Sequence, residues 1–194
     1  MNYLAHLFLA GNTPHIIIGN FIADHVKGSY ILNYAPQIQQ GIIMHRQIDT
    51  FTDSNSLVKQ NIEKLRPHFH KYAGVVSDMY YDHFLSKNWN KFSNVPIEDF
   101  SQEKYDMLQA EKNIFPERSQ KLLYYMSLNN WLVGYASFEG LQRAFNGIAK
   151  RTPFVSNMEH ATEVLKADYE FFESNFFSYF PVLENFVENT FFTL

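Results

Sequence analysis

Four places along the chain put carboxylates or imidazoles where a helical pattern would otherwise be apolar. They are His6; Asp24 followed by His25; His45-x-x-x-Asp49-x-x-x-Asp53; and Asp78-x-x-x-Asp82-His83. On a helix, Asp78 and Asp82 stand one turn apart on the same face. Their neighbours Val75, Val76, Met79, Tyr80, Tyr81, Phe84 and Leu85 make that helix apolar around most of its circumference, so burial is expected. Buried, unpaired carboxylates are costly. Such a pair asks for a metal ion, an arginine or protonation. Taken singly, these acids would more often face water or pair with Arg46 or Lys87; the four places together favour a site. Oxygen and imidazole donors suit Mg²⁺, Mn²⁺, Fe²⁺ or Zn²⁺.

His45 and Asp49 repeat the one-turn spacing. They can share a metal, Asp49 can orient the His45 ring from behind, or the two can form a helical ion pair with Arg46 answering the acids. Asp53 precedes Ser54 at a helix end, which suits capping. Asp24 comes late in an apolar helix, where a carboxylate opposes the helix dipole, and a specific role follows more readily. His25 points about 100° away from it. His6, among Leu4, Leu7 and Phe8, is either a satisfied core histidine or a member of the site. His15, His68, His70 and His160 read as surface or loop residues.

The composition narrows the chemistry. The 194 residues include eight histidines and no cysteine, which excludes disulfides, thiolate zinc sites and thiol catalysis. There is no phosphate-cradling glycine loop and no Gly-x-Ser-x-Gly elbow. Sixteen basic against twenty acidic residues give a net charge of −4, a poor match for nonspecific nucleic-acid binding. The apolar N-terminus is short and carries no leading basic residue, and no window supplies the roughly 20 apolar residues of a membrane span. A soluble cytoplasmic protein is expected.

The elements that must position these residues are helical throughout. Period-3.6 patterns dominate and no run alternates long enough for a strand. Helices are expected over 2–10; over 14–26 with Thr13 as N-cap and Pro14 in the first turn; over 36–52; over 57–67; over 72–89; after 101 and after 116; and over 131–149. A last long helix is expected to open at the capping box Ser156-x-x-Glu159 and to end at Pro181, before a Phe-rich tail (Phe186, Phe191, Phe192) that packs within the core. With no linker or repeat, residues 1–194 read as one compact all-α domain of seven to nine helices.

Several spaced blocks carry a family resemblance. They are Met1-Asn2-Tyr3-Leu4-Ala5-His6-Leu7; Gly19-Asn20-Phe21-Ile22-Ala23-Asp24; Gly41-Ile42-Ile43-Met44-His45-Arg46-Gln47-Ile48-Asp49 with Thr52-Asp53; Asp78-x-x-x-Asp82-His83-Phe84-Leu85 with Trp89; Trp131-Leu132-Val133-x-Tyr135; Asn146-Gly147-Ile148-Ala149; and Phe180-Pro181. In this order they resemble the acyl carrier protein phosphodiesterase family over nearly the whole chain, most strongly in its first 90 residues.

The resemblance implies a rearranged HD-domain-like phosphohydrolase fold. It implies hydrolysis of the phosphodiester that joins phosphopantetheine to a serine of acyl carrier protein, with a divalent cation, typically Mn²⁺. It places Asp24, His45, Asp78, Asp82 and His83 in the metal site, with His6 nearby, and makes Asp24, His45, Asp82 and His6 the candidates for catalysis. A bound cation would polarise a phosphoryl oxygen and lower the pKa of its water; His6, His45 or His83 would protonate the leaving serine. Acyl carrier proteins are acidic, as this chain is, so complementarity must be local. Arg46, Arg143, Lys150 and Arg151, with Lys27 and Arg66, could form a basic rim. Some relatives carry arginine where Gly134 stands and an Arg-Arg pair at Lys150-Arg151. The same site acting on a small phosphodiester or nucleotide, and a non-catalytic helical binding domain, are the rival readings.

Overall fold

Prolines and short polar side chains set the helix starts. The structure, a computed structural model, describes residues 1–193; Leu194, the last residue of the span read as one domain, lies outside the described residues. Eleven α-helices follow in order. They are α1 (Tyr3–Leu9), α2 (Pro14–Ile22), α3 (Pro36–Ser54), α4 (Ser56–Phe69), α5 (Ala73–Lys87), α6 (Ile97–Ala110), α7 (Glu117–Leu128), α8 (Trp131–Gly134), α9 (Phe138–Ala149), α10 (Ala161–Ala167) and α11 (Tyr169–Val187), with short 3₁₀ turns between several of them. Among the described residues there is no β-strand, and no helix is long and apolar enough to cross a membrane.

Pro14 and Pro36 open α2 and α3 in the first turn, where a missing N–H costs nothing. Asn55 opens α4 by accepting the Leu57 N–H at 2.9 Å, and Ser137 opens α9 by accepting that of Gly140 at 3.0 Å.

The differences from the sequence expectation have local causes. Thr13 makes no side-chain cap, and α2 ends at Ile22, with Asp24 and His25 in a 3₁₀ turn. The helix expected over 131–149 is divided at Ser137, whose capping bond starts a new helix after the short α8. The last long helix is divided at Asp168 into α10 and α11. These divisions raise the count above nine. Pro181 lies inside α11 rather than ending it. Its neighbours explain why: Phe176 and Phe180 stack at 5.1 Å and both pack against Phe92. Aromatic packing on both sides of the proline outweighs one lost backbone bond. In the Phe-rich tail, Phe186 stacks on Phe51 at 4.1 Å.

α5 runs through the middle of the molecule. Tyr80, Tyr81, Phe84 and Leu85 are buried, against Phe172, Phe176 and Tyr179 of α11. Each such ring contributes about 2 kcal/mol through burial.

α2 and α3 pack closer than two helices with full side chains could. A Cβ on Gly19 would fall inside the radius of the Ile38 carbonyl oxygen, and one on Gly41 inside that of Ile16. This glycine contact sets Asn20 and the Asp24 turn directly against the His45 face of α3.

Candidate metal centre

Three helices meet where α1 and the end of α2 cross α3. His6 comes from α1, His45 and Asp49 from successive turns of α3, and Asp24 from the turn after α2. The His6 and His45 rings stack with centroids 3.9 Å apart and planes 14° from parallel. Asp49 joins both: Oδ1 lies 3.1 Å from His6 Nε2, and Oδ2 3.2 Å from His45 Nε2. Asp24 Oδ1 stands 3.3 Å from His45 Nε2. Both histidines are buried, while Asp24 is 53% and Asp49 38% exposed in their side chains, so the group opens to one side.

The tautomer of His45 follows from its other nitrogen. Nδ1 lies 3.1 Å from Asn20 Oδ1, an acceptor only, so Nδ1 carries the hydrogen and the neutral ring presents a lone pair at Nε2.

The surrounding carboxylates, by contrast, favour the protonated ring. Burial pulls the His45 imidazolium down, but hydrogen bonds and charge from Asp24 and Asp49 outweigh it and lift the ring to about 9. Burial and the neighbouring His45 lower His6 to about 4. Burial raises the Asp49 carboxyl, but the two histidines overcome this and hold it well below the usual range. The His45 hydrogen bond likewise lowers Asp24.

A cavity of about 290 Å³ covers this group. Asp24, Asp49, Asp53 and Asp78 all line it and no lysine or arginine does. The Met1 amino nitrogen lies 3.2 Å from Asp78 and 3.4 Å from Asp49. His6, His45 and Asp49 can each offer one ligand atom, all within 4.8 Å of one another. Two imidazoles and several carboxylates with no thiolate fit a divalent cation of the Mn²⁺, Fe²⁺ or Zn²⁺ kind.

The structure places the other sequence-predicted residues as follows. Asp78 faces the cavity; burial pushes its carboxyl up while the Met1 amino group pulls against that. Asp82, expected as a metal ligand and catalytic group, is turned elsewhere. Its Oδ2 accepts the Leu4 N–H at 2.8 Å and its Oδ1 that of Ala5 at 3.0 Å, fully buried at the start of α1. Burial raises this carboxyl to about 7 against those two bonds. His83, expected as a ligand, is also elsewhere. Its Nδ1 donates to the Tyr135 carbonyl at 2.7 Å and its Nε2 meets the Tyr169 hydroxyl at 3.2 Å, under a stacked Phe138. Neither nitrogen is left for an ion.

The basic residues are dispersed. Arg46 donates to the Val26 carbonyl at 2.8 Å. Arg143 lines a small cavity beside Gly134, and Lys150 a shallow one beside Phe154. Arg151 lines a larger cavity of about 710 Å³, which shares Asn2, Val75, Met79 and Ile148 with the acidic one. His25 lines it too, bonded to Ser119 at 2.8 Å.

The sequence left Asp49 between sharing a metal, orienting His45 and pairing as an ion, and gave Asn20 no role. The i,i+4 spacing from His45 pointed to the first. A buried asparagine in an apolar helix, beside a glycine that permits close packing, was the signal for the second. Asp53 does not cap; Asn55 does.

Fold and cluster define an all-helical protein with a carboxylate–imidazole cleft of the kind that holds a divalent cation. The model of a family described as acyl carrier protein phosphodiesterase matches residues 1–183. A protein of that description from Klebsiella pneumoniae subsp. pneumoniae is 33% identical over 97% of this chain and 98% of its own. One from an Enterobacter species is 33% identical over 93% of this chain and 94% of its own, and one from Yersinia enterocolitica is 31% identical over 94% and 95%. The chain belongs to the acyl carrier protein phosphodiesterase family. No solved structure matches it.

Proposed function

We propose that this protein is a metal-dependent phosphodiesterase that releases 4′-phosphopantetheine from holo-acyl carrier protein, leaving the apo-carrier. The observation that carries the reading is the His6–His45–Asp49 group, whose His45 and Asp49 line a pocket together with three further carboxylates and no lysine or arginine. The relatives' description supplies the substrate.

In this reading His6, His45 and Asp49 hold the cation, with Asp24 and Asp78 completing or adjoining its shell, and Mn²⁺ is the ion preferred. Such an ion, when bound, polarises phosphoryl oxygens and acidifies water. The protein's own groups do the rest. Asn20 fixes the His45 tautomer. Asp24, at the mouth and beside the His45 ring, is placed to take a proton from attacking water. Asp82 holds the α1 N-terminus so that His6 meets His45, which makes it a positioning residue.

The test is incubation of holo-acyl carrier protein with the protein and Mn²⁺, followed by the mass of the carrier. Loss of phosphopantetheine is expected. An intact carrier, with a small phosphodiester or nucleotide cleaved instead, defeats the proposal. Rates with Mn²⁺, Mg²⁺, Fe²⁺ and Zn²⁺ test the ion.

A further inference from the structure

α7 presents an unusual combination on one side. Arg118, Lys121 and Tyr125 reach the wall of the 710 Å³ cavity. Tyr124, Tyr125 and Leu128 stand 58%, 50% and 66% exposed, the two rings meeting edge to face at 5.2 Å. Three large apolar side chains exposed within five residues, rimmed by charge, are a mark of a binding surface rather than of a solvated helix. Arg118 makes no ion pair among the described residues, and Lys121 pairs only with exposed Glu117, a contact of little worth in water.

The cavity runs from this helix to the acidic pocket, since Asn2, Val75, Met79 and Ile148 line both. A partner seated on α7 therefore lies next to the cleavage site. On a chain of net charge −4, Arg118, Lys121 and Arg151 form a local positive edge to that path.

We infer that the exposed face of α7 is the docking edge for the acidic surface of the carrier protein, with Arg118 and Lys121 steering it and Tyr124, Tyr125 and Leu128 forming the apolar contact. The inference rests on the proposed function and deepens it by assigning the recognition surface. It also answers how two acidic proteins meet: the two steering cations, Arg118 and Lys121, lie on one helix beside the cavity.

The test is steady-state hydrolysis of holo-acyl carrier protein with Mn²⁺ by the full chain. The double variant Arg118→Glu/Lys121→Glu, both exposed and outside the core, should raise KM for the carrier tenfold or more with kcat within twofold, and should flatten the dependence of KM on salt. Leu128→Ser should raise KM severalfold. The double variant Lys59→Glu/Lys91→Glu makes the same charge change on exposed residues elsewhere and should leave KM within twofold. If the wild type cleaves the carrier and the α7 double variant keeps its KM and salt dependence, or the distant pair raises KM equally, the docking assignment is overturned. A wild type that leaves the carrier intact overturns the proposed function, and the docking assignment with it.

Discussion

Two buried histidines show what separates the proposed site of this molecule from its frame. In each, Nδ1 lies against an oxygen acceptor, Asn20 Oδ1 for His45 and the Tyr135 carbonyl for His83. Each therefore offers Nε2. That of His45 faces two carboxylates in an open pocket, and the ring rises to about 9. That of His83 faces a phenol whose oxygen also accepts from Lys87 at 2.8 Å, and burial drives the ring down to about 4. The carboxylates nearby divide the same way. Asp49, one turn from His45, joins two imidazoles, whereas Asp82, one turn from Asp78, binds two backbone amides. Equal spacing, opposite use: the neighbour across the helix interface decides.

The sharpest way to break this contrast is to empty the reactive side. His45→Ala or Asp49→Ala should lower kcat/KM for the carrier by about 10³-fold, several kcal/mol of transition-state stabilisation, with the melting temperature nearly kept. Near-normal rates in both would remove the cluster from catalysis.

Asp82→Ala should act in the reverse order, on stability first. Two buried amides lose their acceptor, at a cost of about 3 kcal/mol, read as a lower urea midpoint at unchanged m. Asp82→Asn, which keeps one acceptor, should recover part of it. A variant as stable as the wild type but inactive would instead place Asp82 with the ion.

Asn20→Ala should free the His45 ring without removing it. About 10- to 100-fold in Mn²⁺ affinity is expected to go, measured by titration of activity with the metal. An unchanged titration would mean that Asn20 does not orient the ring.

The smallest effect is a pH dependence on the framework side. The folded His83 binds a proton only near pH 4, while in the unfolded chain the ring binds one near 6.5. As pH falls from 6.5, the unfolded state takes up the proton and the folded state does not, so stability is lost, by about 2 kcal/mol at pH 5. Denaturation curves of wild type and His83→Asn over pH 5 to 7 should differ by this slope. Parallel curves would show that His83 titrates normally.

Much of this was legible in the sequence. The all-helical class follows from the apolar period, and the burial of α5 from residues apolar on all sides. Of the four places that break the pattern, His6, Asp24, His45 and Asp78 come together around the cleft of the proposed site. What spacing on one helix lacks is the identity of the facing helix. Asp82 meets amides 78 and 77 residues away, and His83 meets Tyr135 and Tyr169, partners that neither the spacing from Asp78 nor the family resemblance, which put both residues in the metal site, could reveal. Pro181 misled in the same manner, because its local preference yields to rings brought in by distant elements.

α1 has seven residues, too few to persist as a free helix in water. It is held by Asp82 through the Leu4 and Ala5 amides of its first turn, and the next residue, His6, joins the cluster. Whatever binds through His6 must therefore also favour the docked over the undocked α1. In the proposed site, thermodynamic coupling makes the affinity for the cation include the free energy of docking this helix, and a cation in excess would stabilise the docked state by RT ln(1 + [L]/Kd). In that reading a substitution at Asp82, which anchors the Leu4 and Ala5 amides, changes the apparent Kd without altering a ligand.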